Sequence, residues 1–346
     1  MSPVLIVSSS FLINFLFLNF LFKRSNQLGL LDYPDKRKQH KNPVPLIGGL
    51  SLYLTFFLLV FLMFNNFLEL FHNANHFLIY LISSSVIFAI GLIDDLVVVS
   101  TFKKIFIQIV VVFVVVYYLE LYKQIYFLFN NNYCINFFIA TLFLLGVTNS
   151  INLIDGTNNL MCIISIFSSI SFIIISNYIG VNNLFFLYII IGSGLSYIVY
   201  NNFFENVFFG DSGSLYIGWL LSIASIVMIK STNSFTFHIP MLILAIPAFD
   251  TVFVMVNRFF KSEKDNFIIR FKSMFLSDRT HIHHFLLNRG FSDIEICFVL
   301  GCVSVLFFIL SFFILVFIKD YFYKTNILMT LFLVYFFIRL RLYNNN

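Results

Sequence analysis

Two adjacent carboxylates, Asp94 and Asp95, close an apolar run. Side by side they repel unless a cation or a basic partner is near. Such a pair serves a divalent ion or a phosphate reaction, or it is simply a solvated helix end. The stretch NSINLIDGTNN spaces Asn149, Asn152 and Asp155 three apart, which puts their oxygens on one face if the helix continues. The same composition makes turns and caps, yet beside membrane helices it is costly unless it lines a wet cavity. In FFGDSGSL, Asp211 lies between Gly210 and Gly213 at the start of another apolar run. Glycine lets backbone approach a ligand closely, and a helix N-terminus is a ready phosphate site; an Asp/Ser cap without a ligand is the alternative. The fourth stretch, SDRTHIHH, sets His281 and His284 three apart with His283 between. Zinc finds neither a cysteine nor a suitable fourth ligand nearby. Histidine and arginine donating to the oxygens of a diphosphate is the better use. Together these groups meet the requirement of a phosphoryl transfer on Mg²⁺, a hard ion that shares one or two carboxylates with substrate phosphates.

The elements that must position these groups are membrane helices. Of 346 residues, 60% are hydrophobic and 11% charged, against about 25% charged in soluble domains. A water-soluble enzyme and a disordered chain are excluded, and a net charge of +5 is too thin for a nucleic-acid binder. Eleven apolar segments are expected to span, near 4–22, 46–64, 77–93, 105–120, 135–149, 160–176, 184–200, 214–229, 239–257, 294–318 and 326–338. Backbone groups in lipid must be satisfied within each segment, and barrel alternation is missing, so the fold class is an all-α polytopic integral membrane protein. Lys23 and Arg24 follow the first span and no basic residue precedes it. That order predicts an N-terminus outside and a cytoplasmic C-terminus. Inside segments 23–45, 94–104, 150–159, 201–213 and 258–293, with the C-terminal tail, then hold 17 of the 21 basic residues. All four polar stretches fall on that side, so a single membrane domain over 1–346 with a cytoplasmic active site is expected. An ion-coupled transporter would need acids at the bilayer midplane and repeat symmetry, and no repeat is visible. Asp250 is the exception, seven residues before Asn257 and so about 10 Å up a helix; it calls for a function or a buried partner. The four cysteines form no C-x-x-C pair and read as packing residues.

With these motifs in order, the sequence resembles the polyprenyl-phosphate N-acetylhexosamine-1-phosphate transferases, in particular the bacterial undecaprenyl-phosphate GlcNAc-1-phosphate transferase branch of glycosyltransferase family 4. The resemblance runs from Asp32 to about Arg289 through DYPDKRKQHKNPVPLIGGLSLY, GLIDDL, NSINLIDG, FFGDSGSLYIGW, IPAFDTVFVMVNR and SDRTHIHHFLLNRGFS. It implies transfer of N-acetylhexosamine 1-phosphate from a UDP-sugar to undecaprenyl phosphate, with UMP released, to start a cell-surface polysaccharide. It implies Asp94, Asp95 and Asp211 as catalytic residues, Asp94 deprotonating or orienting the lipid phosphate. Asp211 with Asn152 would hold Mg²⁺, or Mn²⁺ in its place. Lys104 would hold a phosphate, and Lys41, Asn158, Asn201 and Phe208 would grip uracil. Asn149 and Asp155 would also bind substrate, and Arg279, His281, His283 and His284 would hold the diphosphate and sugar. The implied partners are the UDP-N-acetylhexosamine, undecaprenyl phosphate and the lipid bilayer, with no nucleic acid and with room for a homodimer. Many bacterial members carry Asp-Gly where this chain has Asn158-Asn159, which leaves the shape of that loop open. Leu96-Val97-Val98 after the acidic pair, the order His-Ile-His-His and Asp250 within PAFD set the chain apart from the peptidoglycan enzyme, phospho-MurNAc-pentapeptide translocase.

Overall fold

The computed structural model describes residues 2–34, 42–64, 74–121, 132–181, 184–230, 238–261, 266–275, 280–318 and 320–344. Within them the chain is helical apart from one short strand pair. In order the elements are α1 (Pro3–Phe22), α2 (Ser25–Leu28), β1 (Leu31–Asp32), β2 (Val44–Pro45), α3 (Gly48–Leu62), α4 (Ala74–Leu96) and α5 (Thr101–Tyr118). There follow α6 (Tyr133–Ile154), α7 (Leu160–Tyr178), α8 (Phe185–Phe203), α9 (Gly210–Lys230), α10 (His238–Ile243) and α11 (Ala245–Lys261). The last are α12 (Phe267–Ser273), α13 (Ile282–Asn288), α14 (Asp293–Phe317) and α15 (Tyr321–Asn344). Among the described residues, nine helices are long and apolar enough to cross a membrane, and α3 is a shorter apolar helix. The protein is an all-α polytopic membrane protein, and ten of the eleven expected segments fall on these helices; the remaining one, 239–257, falls on α10 and α11.

The segment expected at 239–257 is not continuous, because α10 and α11 are broken at Leu244. Pro247 has no N–H to give the carbonyl of Ile243, four residues back, which is where a helix loses its ladder. The two halves still carry Asp250 into the protein, where it is 1% exposed.

α9 is the central pillar. It is almost wholly buried, with Trp219, Leu220, Leu221 and Ala224 inaccessible, and it packs against α3, α4, α6, α7 and α8. Peripheral helices bury one stripe only. In α1, Ile6, Ser10, Asn14, Leu18 and Leu21 face inward, while Leu12 and Leu16 are more than half exposed. Apolar surface of that extent belongs in lipid. Where α1 meets α3 and α8, Asn14 donates to the carbonyl of Ser193 at 3.0 Å and accepts from Thr55 at 3.4 Å, the small-residue, hydrogen-bonded packing of membrane helices.

The strand pair is antiparallel, Leu31 opposite Pro45 and Asp32 opposite Val44. It continues into a bridge between Leu46 and Phe208, with Phe208 N–H donating to the carbonyl of Pro45 at 2.8 Å. This stitch ties the approach to α9 to the approach to α3 and forms one wall of the site.

Candidate active site

The acidic pair ends α4 and Asp211 begins α9. Their meeting depends on Gly91, one turn before Asp94: a Cβ there would lie 2.5 Å from both the carbonyl oxygen of Asp211 and the Cα of Ser212. The two backbones therefore touch, and Asp95 reaches the first amides of α9, which have no partner within the helix. Its Oδ1 accepts from the N–H of Asp211 at 2.7 Å and its Oδ2 from that of Ser212 at 3.0 Å. Gly210 turns the chain into α9 at a φ of +78°. The expectation of a phosphate site at this N-terminus is corrected here, because a carboxylate from another helix already fills it and answers its orphan amides and dipole.

Asp94 and Asp211 share one cation. The ammonium of Lys104, in the first turn of α5, lies 2.6 Å from Asp94 Oδ2 and 2.5 Å from Asp211 Oδ2. The other oxygen of Asp94 accepts from Val99 N–H at 2.6 Å, which fixes the turn between α4 and α5. Asn152, near the end of α6, donates to Asp211 Oδ1 at 3.1 Å and to Ser214 at 2.9 Å. Four helices thus supply one polar cluster.

The cluster opens into a cavity of about 1000 Å³. Asp94, Asp95, Asp155, Asn158, Phe208, Asp211 and His284 all line it. Asp155 caps the end of α6, and its carboxyl is pushed up to about 8 by burial and then by the charges of Asp211 and Asp95. Asn159 resolves the loop left open by its missing glycine: it takes the left-handed conformation itself, at φ 66°, which Asn tolerates better than most residues. Its amide donates to Asn202 at 2.8 Å, and its side-chain oxygen accepts from Asn201 at 3.1 Å.

Other expected residues stand behind the wall. Asn201 also accepts from Val207 N–H at 2.9 Å, and so holds the segment carrying Phe208 without lining the cavity. Asn149 donates to Gln108 at 2.6 Å and to the carbonyl of Leu145, away from the cavity lining. His281 and His283 are buried, at 4% and 1% exposure. His283 presses on the cavity loop, since a Cβ on Gly156 would collide with its ring. Burial, with His284 and His281 beside it, holds the imidazole of His283 down at about 3, so it is neutral near pH 7. Lys41 and Arg279 lie outside the described residues. Asp32, Asn206 and Asp293 line the cavity but were not singled out from sequence. Only their place in polar inside segments could have marked them.

A family model described as glycosyl transferase family 4 matches residues 77–229. A probable undecaprenyl-phosphate N-acetylglucosaminyl 1-phosphate transferase of Bacillus subtilis is 28% identical over 273 residues, covering 77% of this chain and 72% of that protein. The undecaprenyl-phosphate alpha-N-acetylglucosaminyl 1-phosphate transferase of Escherichia coli K12 is 28% identical over 303 residues, covering 82% and 76%. The protein of the same name from Thermotoga maritima is 28% identical over 300 residues, covering 87% of each chain.

Proposed function

We propose, from the match of residues 77–229 to the model of glycosyl transferase family 4, that the protein transfers N-acetylhexosamine 1-phosphate, GlcNAc 1-phosphate first of all, from the UDP-sugar to undecaprenyl phosphate. An oxygen of the lipid phosphate bonds to the sugar-bearing phosphorus as the bond to the uridine-bearing phosphate breaks. The products are undecaprenyl-diphospho-N-acetylhexosamine and UMP, and the first of them starts a cell-surface polysaccharide. The observation that carries this reading is the convergence of Asp94, Lys104 and Asp211 from three helices, with both carboxylates lining one cavity.

The donor set fits Mg²⁺. Carboxylate oxygens of Asp94 and Asp211 face a common cation, Asn152 adds an amide, and Asp155 faces the same cavity. These are hard oxygen ligands, and their negative charge exceeds what one lysine neutralises. Asp211 and Asn152 would hold the ion, which when bound neutralises charge on the two phosphates of the donor. Asp94 orients the lipid phosphate or takes its proton, and Lys104 holds a phosphate oxygen. Asn158 and Phe208 line the wall where uracil would rest, Phe208 by stacking. Direct attack by the lipid phosphate is favoured, because positioning and electrostatics supply most of phosphoryl-transfer catalysis. The basic-residue distribution supports a cytoplasmic orientation for the site.

The test is UMP release by purified protein in detergent, supplied with UDP-GlcNAc. Turnover should require both undecaprenyl phosphate and Mg²⁺, and Asp211→Ala should lower kcat by at least about 10²-fold. Turnover without the lipid phosphate, or undiminished in Asp211→Ala, would sink the reading. A panel with UDP-GalNAc, UDP-FucNAc and UDP-QuiNAc identifies the sugar.

A further inference from the structure

Asp250 collects donors from three directions. Its Oδ2 accepts from Nδ1 of His281 at 2.8 Å, and its two oxygens accept from Ile282 N–H at 3.1 and 3.2 Å. Its Oδ1 also accepts from the Tyr335 hydroxyl at 2.9 Å and from Nη2 of Arg339 at 3.3 Å. The same Nη2 donates to the carbonyl of Thr280 at 2.7 Å. Asp250, His281 and Arg339 are all buried, at 1%, 4% and 2% exposure. The Arg339 guanidinium lies between two aromatic rings, 5.0 Å from the centroid of Phe253 and 5.3 Å from that of Phe285.

The geometry has a direction. Tyr335 and Arg339 belong to α15 and Asp250 to α11, while the accepting carbonyl of Thr280 and the donating N–H of Ile282 lie at the entry to α13. Thr280 and Ile282 bracket His281, so the hub grips the histidine segment by backbone on both sides as well as by the ring. From there the rings pass inward: His281 stacks on His283 at 5.9 Å, and His283 lies 4.2 Å from His284. His283 touches the Gly156 loop, and His284 lines the cavity. A buried charge cluster of this kind is weak evidence for stability, whereas removing one partner is strongly disruptive. Among the described residues, Nε and Nη1 of Arg339 have no hydrogen-bond partner, so the arginine is imperfectly satisfied as a purely structural brace.

We infer that Tyr335 and Arg339 are positioning residues, which lock the His281–His284 segment against the donor cavity through the carboxylate of Asp250. Both lie beyond the last of the sequence motifs, which ends at Ser292, and neither lines the cavity. The inference rests on the proposed transfer for its kinetic consequence, but the mechanical coupling stands apart from it.

Two readouts separate the two. Hydrogen exchange is followed over residues 280–288 in detergent-solubilised full-length protein, and steady-state constants are measured for UDP-GlcNAc and for undecaprenyl phosphate. In Arg339→Met, exchange in 280–288 should rise at least tenfold while α4 and α9 keep their protection. The KM for the UDP-sugar should rise about tenfold, with the KM for the lipid unchanged. Arg339→Lys, which keeps the charge, should recover part of both effects. Tyr335→Phe removes one hydroxyl and should show a smaller change in the same direction, which keeps the test open if Arg339→Met does not fold. Unchanged exchange at 280–288 in a folded variant overturns the coupling. So does a rise spread evenly over all helices, or a KM shift shared equally by both substrates. Altered exchange with no transferase turnover in the wild type would instead sink the proposed function and leave the coupling intact.

Discussion

Both oxygens of Asp95 are engaged by the amides of α9, while one oxygen each of Asp94 and Asp211 faces Lys104. Two neighbouring residues of one type therefore do different work. Asp95→Ala would strand two buried amides, at about 1–3 kcal/mol, and should lower the melting temperature together with activity. Asp95→Asn keeps an acceptor and should restore part of the stability; equal melting temperatures for wild type and Asp95→Ala would refute the capping role. Asp155 offers a pH test. Its carboxyl is raised to about 8 in the fold, so its neutral form is favoured there. The resulting stabilisation is complete below the unfolded value of about 4 and is lost as pH rises through 8. With chelator present, the wild type should lose stability relative to Asp155→Asn across that window, as read by thermal unfolding at successive pH values. Parallel profiles would contradict it. Residue types and spacing were enough to nominate Asp94, Asp95, Asn152 and Asp211. They could not tell a cap from a ligand, since that depends on which amide or ammonium the fold delivers. Gln108, Tyr335 and Arg339 were illegible for the same reason: each acts on a partner distant in sequence.

The helices were legible because the cost of unpaired backbone in lipid leaves almost no other structure for long apolar runs. Their breaks and contacts were less so. The division of α10 from α11 follows from Pro247, whose effect is local, but the inward turn of Asp250 needed α13 and α15 to be in place. The contact of α4 with α9 rests on a missing side chain. In Gly91→Ala the new methyl meets backbone at 2.5 Å, which flexible side chains cannot relieve, so the helices must part. Overpacking of this kind costs about 1–3 kcal/mol. It should also separate Asp94 and Asp95 from Asp211, so activity should fall further than the melting temperature alone explains. Full activity in Gly91→Ala would show that the close approach is dispensable.

At the scale of the molecule, few charges carry the information. The hydrophobic 60% of the chain builds the bundle, whereas 17 of 21 basic residues fall in the sequence segments expected on the inside. The orientation that this implies is open to labelling. Cys134 is exposed at the start of α6, at the other end of that helix from Asn152. A membrane-impermeant maleimide should label Cys134 in intact cells, while an Asp293→Cys substitution at the cavity rim should react only after the membrane is opened. Reversed labelling would invert the topology and place the cavity outside.

Arg339 gives the order of synthesis a meaning. The histidine segment leaves the ribosome well before the residue that fastens it, so a nascent chain that has threaded most of its helices still lacks a finished donor site. A product truncated ahead of α15 could reach the bilayer and yet stay idle, without drawing on nucleotide sugar or loading lipid carriers. On that inference, docking of α15 would be the step that completes the site.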